Sequence, residues 1–254
     1  MPKLSDLQQY SLLAVTGFCL GTFVNVLASK YITSGQWDQI ETSSCPRKLG
    51  LCSFESLLSI GRIGLGERHA HRDQRLLTIY WEIQFALGAL FPLAFWRVGA
   101  DNFPAAVLLI VLLTFIFITD LRAFVIPNWA SLGGIGLGMG FAMLETPGLP
   151  SLQQALLGGF CGFFLIYGIN VLYHLWRGRD GMGFGDVKLM AMLGVWLGPF
   201  SLLPILFAAS AVGVVFGCGM SLIAGKYHSL GLEKVPFGCF LSIMGVAWLL
   251  LFCF

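Results

Sequence analysis

Long apolar runs, separated by short polar segments, constrain the fold of this chain more than any other feature of its sequence. Eight runs can be traced, at roughly 12–28, 79–96, 103–119, 129–144, 152–175, 187–197, 202–224 and 237–254. A helix needs ~20 apolar residues to cross a bilayer. Charged residues make up 11% of the chain, whereas a soluble domain carries roughly 25%. The sequence therefore predicts an all-α polytopic membrane protein with about eight transmembrane helices, of which the short run at 187–197 is tilted, partly re-entrant or fully spanning.

One long polar segment, at 30–78, interrupts this pattern. It divides the chain into a first transmembrane helix at 1–29, a loop at 30–78 and a transmembrane core at 79–254. The first run follows Lys3, as the apolar part of a signal peptide would, but no clear small-residue cleavage site comes after it. We therefore expect the first run to stay in the protein as a membrane helix.

The basic residues indicate how these helices are oriented. With eight spans, one side of the membrane collects the basic residues of the long loop together with Arg122, Arg177, Arg179, Lys188, Lys226 and Lys234, whereas the other side has Lys3 and Arg97. Loops rich in Lys and Arg stay in the cytosol. The sequence thus predicts a cytosolic long loop and both termini on the opposite side. It gives no reason to expect a nucleic-acid partner, and the expected surroundings are membrane lipid.

Two acids stand at the ends of apolar runs. Asp120 ends the third run and Asp186 begins the sixth, so two spans lie between them and both acids face the cytosol. A charged residue at bilayer depth costs at least ~2.5 kcal/mol, so it usually marks function. Gly183 and Gly185 leave the backbone before Asp186 bare, which allows a substrate strand or a helix to approach closely. The alternative is that Asp186 is an ordinary helix cap and that the glycines are a loop hinge.

Two carboxylates in contact share one proton near neutral pH. The ionised member can take a proton from water while the protonated member polarises a carbonyl group. This chemistry hydrolyses a peptide bond without a metal or a covalent intermediate. A rival interpretation is a transporter or assembly subunit whose acids relay protons, but the two acid motifs differ and show no internal repeat.

The long loop holds Cys45, Cys52, His69 and His71. Structural zinc sites favour four ligands in pairs two to four residues apart. The two cysteines are spaced more widely than that, so we do not expect zinc.

Four blocks of sequence resemble type IV prepilin peptidases, which are GxGD-type membrane aspartyl proteases. The blocks are Gly21-Thr22-Phe23-Val24-Asn25-Val26, Asp120 with Ile126-Pro127, Gly183-Phe184-Gly185-Asp186 within 183–198, and Val235-Pro236-Phe237-Gly238. The resemblance implies that Asp120 and Asp186 are catalytic and that Gly183 and Gly185 shape the site. It also implies a bacterial inner-membrane enzyme with periplasmic termini.

The same resemblance implies a substrate and a second reaction. Members of this family cleave type IV prepilins, or pseudopilins of type II secretion, after a Gly at the cytosolic face, without a cofactor. Many then methylate the new N-terminus with S-adenosylmethionine. The chain departs from the family pattern where Lys48 replaces a cysteine partner of Cys45, Gln84 replaces a Glu, and Asn128 replaces an Asp. These changes bear on methylation more than on proteolysis, so a peptidase without methylation is the alternative.

The predicted orientation can be tested by labelling single cysteines in intact cells. Cysteines introduced within residues 47–75 should react only after the membrane is permeabilised, and a cysteine introduced near Glu145 should react from outside, because basic loops remain cytosolic. Labelling of the long loop in intact cells would overturn both the orientation and the cytosolic position of the acids.

Overall fold

The computed structural model describes residues 4–33, 70–146, 148–178, 181–224 and 236–252. Within these ranges the regular structure is helical, with seven α-helices and one short 3-10 turn at Pro199–Ser201. The helices are α1 (Leu4–Thr33), α2 (Ala70–Ala123), α3 (Asn128–Met143), α4 (Leu152–Arg177), α5 (Phe184–Leu197), α6 (Leu202–Ala224) and α7 (Phe237–Phe252). The loop predicted at 30–78 is helical at both of its ends, and its interior lies outside the described residues.

Four helical stretches of the described chain are long and apolar enough to cross a membrane. They are Gln8–Ile32, Trp81–Ala123, Leu152–Arg177 and Pro199–Cys218, and Phe237–Phe252 is a shorter apolar helix. The predicted all-α polytopic membrane protein is confirmed, while the count of eight spans stays a prediction. The chain forms two compact units, Met1–Pro92 and Leu93–Phe254.

In the first unit, α1 packs closely against the beginning of α2. A methyl group added at Gly17 would lie 2.6 Å from the carbonyl oxygen of Leu87. The rings of Phe18 and Phe85 meet edge to face at 5.6 Å, and Asn25 is buried. Small residues thus let these two helices approach, as is typical of helix pairs in membranes.

In the second unit, α2 is broken at Gly99. This glycine has φ 79° and ψ 172°, which is not helical, and a positive φ is readily adopted only by glycine. The rings of Phe95 and Phe103 lie 5.3 Å apart across the break, although residues eight apart in an unbroken helix are separated by a rise of ~12 Å. The chain therefore bends sharply between the apolar runs predicted at 79–96 and 103–119.

The short helix α5 lies at the centre of the second unit. Its 14 residues include a continuous buried stretch from Leu189 to Leu197, and a helix that is apolar all round is a buried helix. Its rise of ~21 Å is less than the ~30 Å hydrocarbon core. The indole N–H of Trp196 donates to the carbonyl oxygen of Gly134 in α3 at 2.8 Å. Surrounding helices, rather than lipid, therefore enclose α5.

The tightest packing of α5 is against α4, where Gly158 and Gly194 face each other. A methyl group on either residue would overlap the carbonyl of the other. Farther along the same face, Gly162 lies against the backbone of Met190. Since apolar side chains gain little from leaving lipid, such close backbone contact supplies much of the packing energy in membrane proteins.

We predict that Gly158→Val destabilises the protein, because over-packing a tight interface costs roughly 1–3 kcal/mol or more. Gly168→Val is the matched control, since Gly168 is on the same helix and has open space around it. Thermal unfolding in detergent, followed by size-exclusion chromatography, should show a lower Tm for Gly158→Val and an unchanged Tm for Gly168→Val. Equal Tm values for the two variants would contradict the close α4–α5 contact.

Candidate active site

Asp120 lies in the last turn of α2, at the end of a stretch from residue 105 in which every side chain is buried or half-buried. Its own side chain is 6% exposed. The carboxylate oxygen Oδ2 accepts a hydrogen bond of 2.9 Å from the backbone N–H of Cys239. Cys239 is the third residue of α7, and the first amides of a helix have no partner within it. The carboxylate thus occupies the N-terminus of α7, where the helix dipole also favours a negative charge.

A tight turn after Asp120 brings the chain back beside this carboxylate. Phe124 has φ 53°, and its N–H donates to the carbonyl oxygen of Asp120 at 2.9 Å. This is a left-handed helix cap of the kind that usually contains glycine. The chain then passes through Ile126 to Pro127, which caps the beginning of α3.

Asp186 is the third residue of α5, so it too lies in the first turn of a helix. Its side chain is 9% exposed. Its N–H donates to the carbonyl oxygen of Gly183 at 3.1 Å, and its carboxylate interacts with the backbone amide of Gly183. Gly183 has an extended conformation at the cap position. A side-chain acceptor at the third helical position that reaches back to the cap is half of a capping box.

The structure brings the two predicted acids together. Asp186 and Asp120 are close enough to interact electrostatically, and the thiol of Cys239 interacts with both carboxylates. The alternative of a simple helix cap describes the backbone around Asp186, but it leaves the neighbouring buried acid unexplained. The catalytic roles of the two acids and the site-shaping role of the glycines remain predictions.

One isoleucine side chain lies between the helix starts that carry this site. A methyl group at Gly185 would lie 3.0 Å from Cβ of Ile126, and one at Gly238 would lie 2.9 Å from its Cδ1. The same methyl group at Gly238 would also lie 2.9 Å from Oδ2 of Asp120. Both glycines are therefore places where α5 and α7 approach Ile126 without room for a side chain.

Asn170 holds the loop that precedes Asp186, and sequence reasoning missed it. Its side-chain oxygen accepts hydrogen bonds from the backbone N–H groups of Gly181 at 3.0 Å and Met182 at 3.2 Å. The signal in the sequence is an Asn deep within the apolar run of α4, since an Asn there needs a polar partner. Asn170 thus fixes the entry of the chain into α5.

Asn128, one of the departures from the family pattern, also bonds to the beginning of α5. The ammonium of Lys188 donates to its side-chain oxygen at 2.7 Å and lies 4.8 Å from the centre of the Phe184 ring. The amide of Asn128 supplies an acceptor to Lys188 as a carboxylate would, so this departure retains a polar link between α3 and α5.

Metal ligands are a separate question. Among the described residues, no group of three or more His, Cys, Asp or Glu side chains could hold a metal ion. Cys45, Cys52 and His69 lie outside these residues, and the side chain of His71 is not described. The expectation about zinc therefore stays a prediction.

Comparison with known proteins matches part of this chain to a family. Residues 107–218 match the type IV leader peptidase family, and this range includes both acids. The matched range is less than half of the chain. The resemblance predicted from the four sequence blocks is thus confirmed, and the match ends before α7.

Individual relatives agree with this assignment. A prepilin leader peptidase/N-methyltransferase of Aeromonas salmonicida (strain A449) is 34% identical over 141 residues, which are 56% of this chain and 47% of the relative. A protein of the same name from Neisseria gonorrhoeae is 27% identical over 259 residues, covering 91% of this chain and 90% of the relative. The chain thus matches about half the length of the Aeromonas relative. No solved structure matches it.

Proposed function

We propose that this protein is a membrane aspartyl endopeptidase that removes the leader peptides of type IV prepilins or of type II secretion pseudopilins. The observation that carries this proposal is the pairing of Asp120 with Asp186, two buried acids in electrostatic contact at helix ends. The names of its relatives support the substrate class. The site would face the cytosol, with both termini in the periplasm of a bacterial inner membrane.

The proposed reaction uses the two acids as one general acid–base pair. The ionised carboxylate takes a proton from a water molecule, whose oxygen attacks the scissile carbonyl carbon. The protonated carboxyl group gives its proton to the carbonyl oxygen, and the attacked carbon becomes the centre of a tetrahedral intermediate. When the C–N bond breaks, the amine leaves with the proton taken from water, and the carbonyl oxygen returns its proton to the other acid. The pair then again holds one proton, as close carboxylates do.

The position of the pair suits this reaction. Both acids lie in first turns or last turns of helices rather than in mid-helix, and the exposed backbone at Gly183 is open to a second extended chain. The surrounding apolar side chains limit the access of bulk water, which strengthens each electrostatic contact within the site. A leader peptide at the membrane surface would enter from the loop side of α5.

We predict that Asp120→Asn and Asp186→Asn each abolish cleavage while the protein still inserts and folds. An amide cannot cycle a proton, and loss of general acid–base catalysis typically costs about 10²–10⁴-fold in rate. Processing of a purified prepilin, followed by mass spectrometry of the product, measures this loss. Asp101→Asn is the matched control, since Asp101 is an exposed acid in α2 before the buried stretch, and it should cleave normally. Rapid processing by either Asp120→Asn or Asp186→Asn would exclude the mechanism.

We further propose that the protein methylates the new N-terminus of the pilin and that S-adenosylmethionine is the methyl donor. The relatives are named as N-methyltransferases. Peptide cleavage by two acids does not require a cationic segment as long as residues 30–78. As part of this proposal we place the donor site in the 30–78 segment, most of which lies outside the described residues.

We expect methylation to be retained without zinc. Purified protein should both cleave a prepilin and add a methyl group when it is incubated with S-adenosylmethionine and a strong chelator, because the loop has too few closely spaced ligands for a structural zinc site. Mass spectrometry of the mature pilin reads both reactions. A cleaved but unmethylated product would contradict retention, and methylation that vanishes with the chelator and returns with zinc would contradict the metal-free part.

A further inference from the structure

The N-terminus of α7 makes direct contact with the carboxylate of Asp120. The backbone N–H of Cys239 donates to Oδ2 of Asp120 at 2.9 Å. Gly238, one residue earlier, leaves no room for a methyl group against that same oxygen. This contact is made by a backbone amide, so it remains in any substitution at residue 239 that keeps the N–H. The thiol of Cys239 and the backbone of Gly238 also interact with the carboxylate.

The other end of α7 is bonded to the same helix of the chain. The guanidinium of Arg97 donates from Nε to the carbonyl oxygen of Leu250 at 2.9 Å and from Nη2 to that of Leu251 at 2.9 Å. Helix α7 thus has a carboxylate of α2 at its N-terminus and a guanidinium of α2 at its C-terminus. Both charges complement the helix dipole, and together they fix the position of α7 along its axis.

Ile126 sets the distance between the two helix starts. It contacts Gly185, next to Asp186, and Gly238, next to the amide that binds Asp120. The two acids are therefore each tied to a helix start, and one isoleucine side chain separates those starts. A wider residue would force them apart, and a narrower one would let them close.

We propose that Gly238, the Cys239 amide and Ile126 form a positioning unit that orients Asp120 toward Asp186 for peptide hydrolysis. This inference rests on the proposed peptidase function. Gly238 and Cys239 lie beyond the family match, which ends at residue 218. None of the three touches the substrate in this proposal, since they act through Asp120 and through the spacing of α5 and α7.

Gly238→Ala is the first test. Its methyl group would push on Oδ2 of Asp120 and on Ile126, so kcat for prepilin cleavage should fall by about 10–100-fold while KM stays the same, because misplacing a reacting group by ~1 Å can cost 10²-fold. Gly213→Ala is the control, since a methyl group there would contact Phe240 of α7 at an ordinary distance of 3.5 Å. It should leave both kcat and KM unchanged.

A second pair of variants isolates the amide. Cys239→Pro removes the N–H that binds Asp120, at a first-turn position that tolerates proline, and the backbone bond lost with it is the 3.3 Å turn bond to the carbonyl oxygen of Pro236. Cys239→Ala keeps the N–H and removes only the thiol. We expect kcat of Cys239→Pro to fall well below that of Cys239→Ala at equal KM, with both proteins monodisperse in detergent.

A double-mutant comparison tests the spacer. Ile126→Val removes Cδ1, the Ile126 atom nearest to a methyl group at Gly238. Adding it to Gly238→Ala should recover part of the lost kcat, since residues in contact show non-additive effects. If Gly238→Ala acted only through stability, its Tm in detergent would fall, and Ile126→Val would restore Tm and kcat together; recovery of kcat at an unchanged Tm supports positioning.

The outcomes separate this inference from the proposed function. If Asp120→Asn cleaves the prepilin as the wild type does, the proposed function itself is wrong. Suppose instead that the wild type cleaves and that Asp120→Asn and Asp186→Asn do not. A normal kcat in Gly238→Ala, or an equal kcat in Cys239→Pro and Cys239→Ala, would then overturn the positioning unit alone. Should Gly238→Ala fail to fold, the Cys239 pair decides the question.

Discussion

A carboxylate buried in apolar surroundings must find hydrogen-bond donors, and this requirement organises the second unit of the protein. An unpaired buried charge is far more costly than a paired one. Asp120 is paired by the first turn of α7, whose amides equally need an acceptor. One contact therefore satisfies both groups. It joins two helices that are distant in sequence, and it places the carboxylate where the start of α5 can bring a second acid beside it.

Close backbone contact is what makes room for this arrangement. The central helix α5 is enclosed by its neighbours because glycines on α4 and α5 let the two backbones meet, and the Trp196 indole bonds to α3. A helix of only 14 residues could not span the hydrocarbon core in contact with lipid. Enclosure within the protein instead permits its polar first turn, with Asp186, to lie beside other helix ends. The contacts that pack these helices thus also position the two acids.

Several residues around the two acids support the site, although their types alone do not indicate catalysis. Asn170 bonds to two backbone amides before α5, Asn128 bonds to Lys188, and Ile126 contacts both helix starts. Each connects the beginning or end of one helix to another. Polar links of this kind are needed where loops meet the membrane, because each backbone group freed at a helix end requires a partner. A rigid frame of helix ends can hold two acidic side chains near each other.

The sequence by itself determined that this is a membrane protein, and it identified Asp120 and Asp186 as a candidate pair of acids. Apolar runs of bilayer length predict membrane helices, and the even number of runs between Asp120 and Asp186 predicts that both acids lie on one face. It also showed the resemblance to a peptidase family. Only the tertiary structure decided that the amide of Cys239 binds Asp120, that Ile126 spaces α5 from α7, and that the chain bends at Gly99. These depend on contacts between residues far apart in the chain, or on one backbone dihedral, and hydropathy reports only how apolar a segment is, not which neighbour it meets.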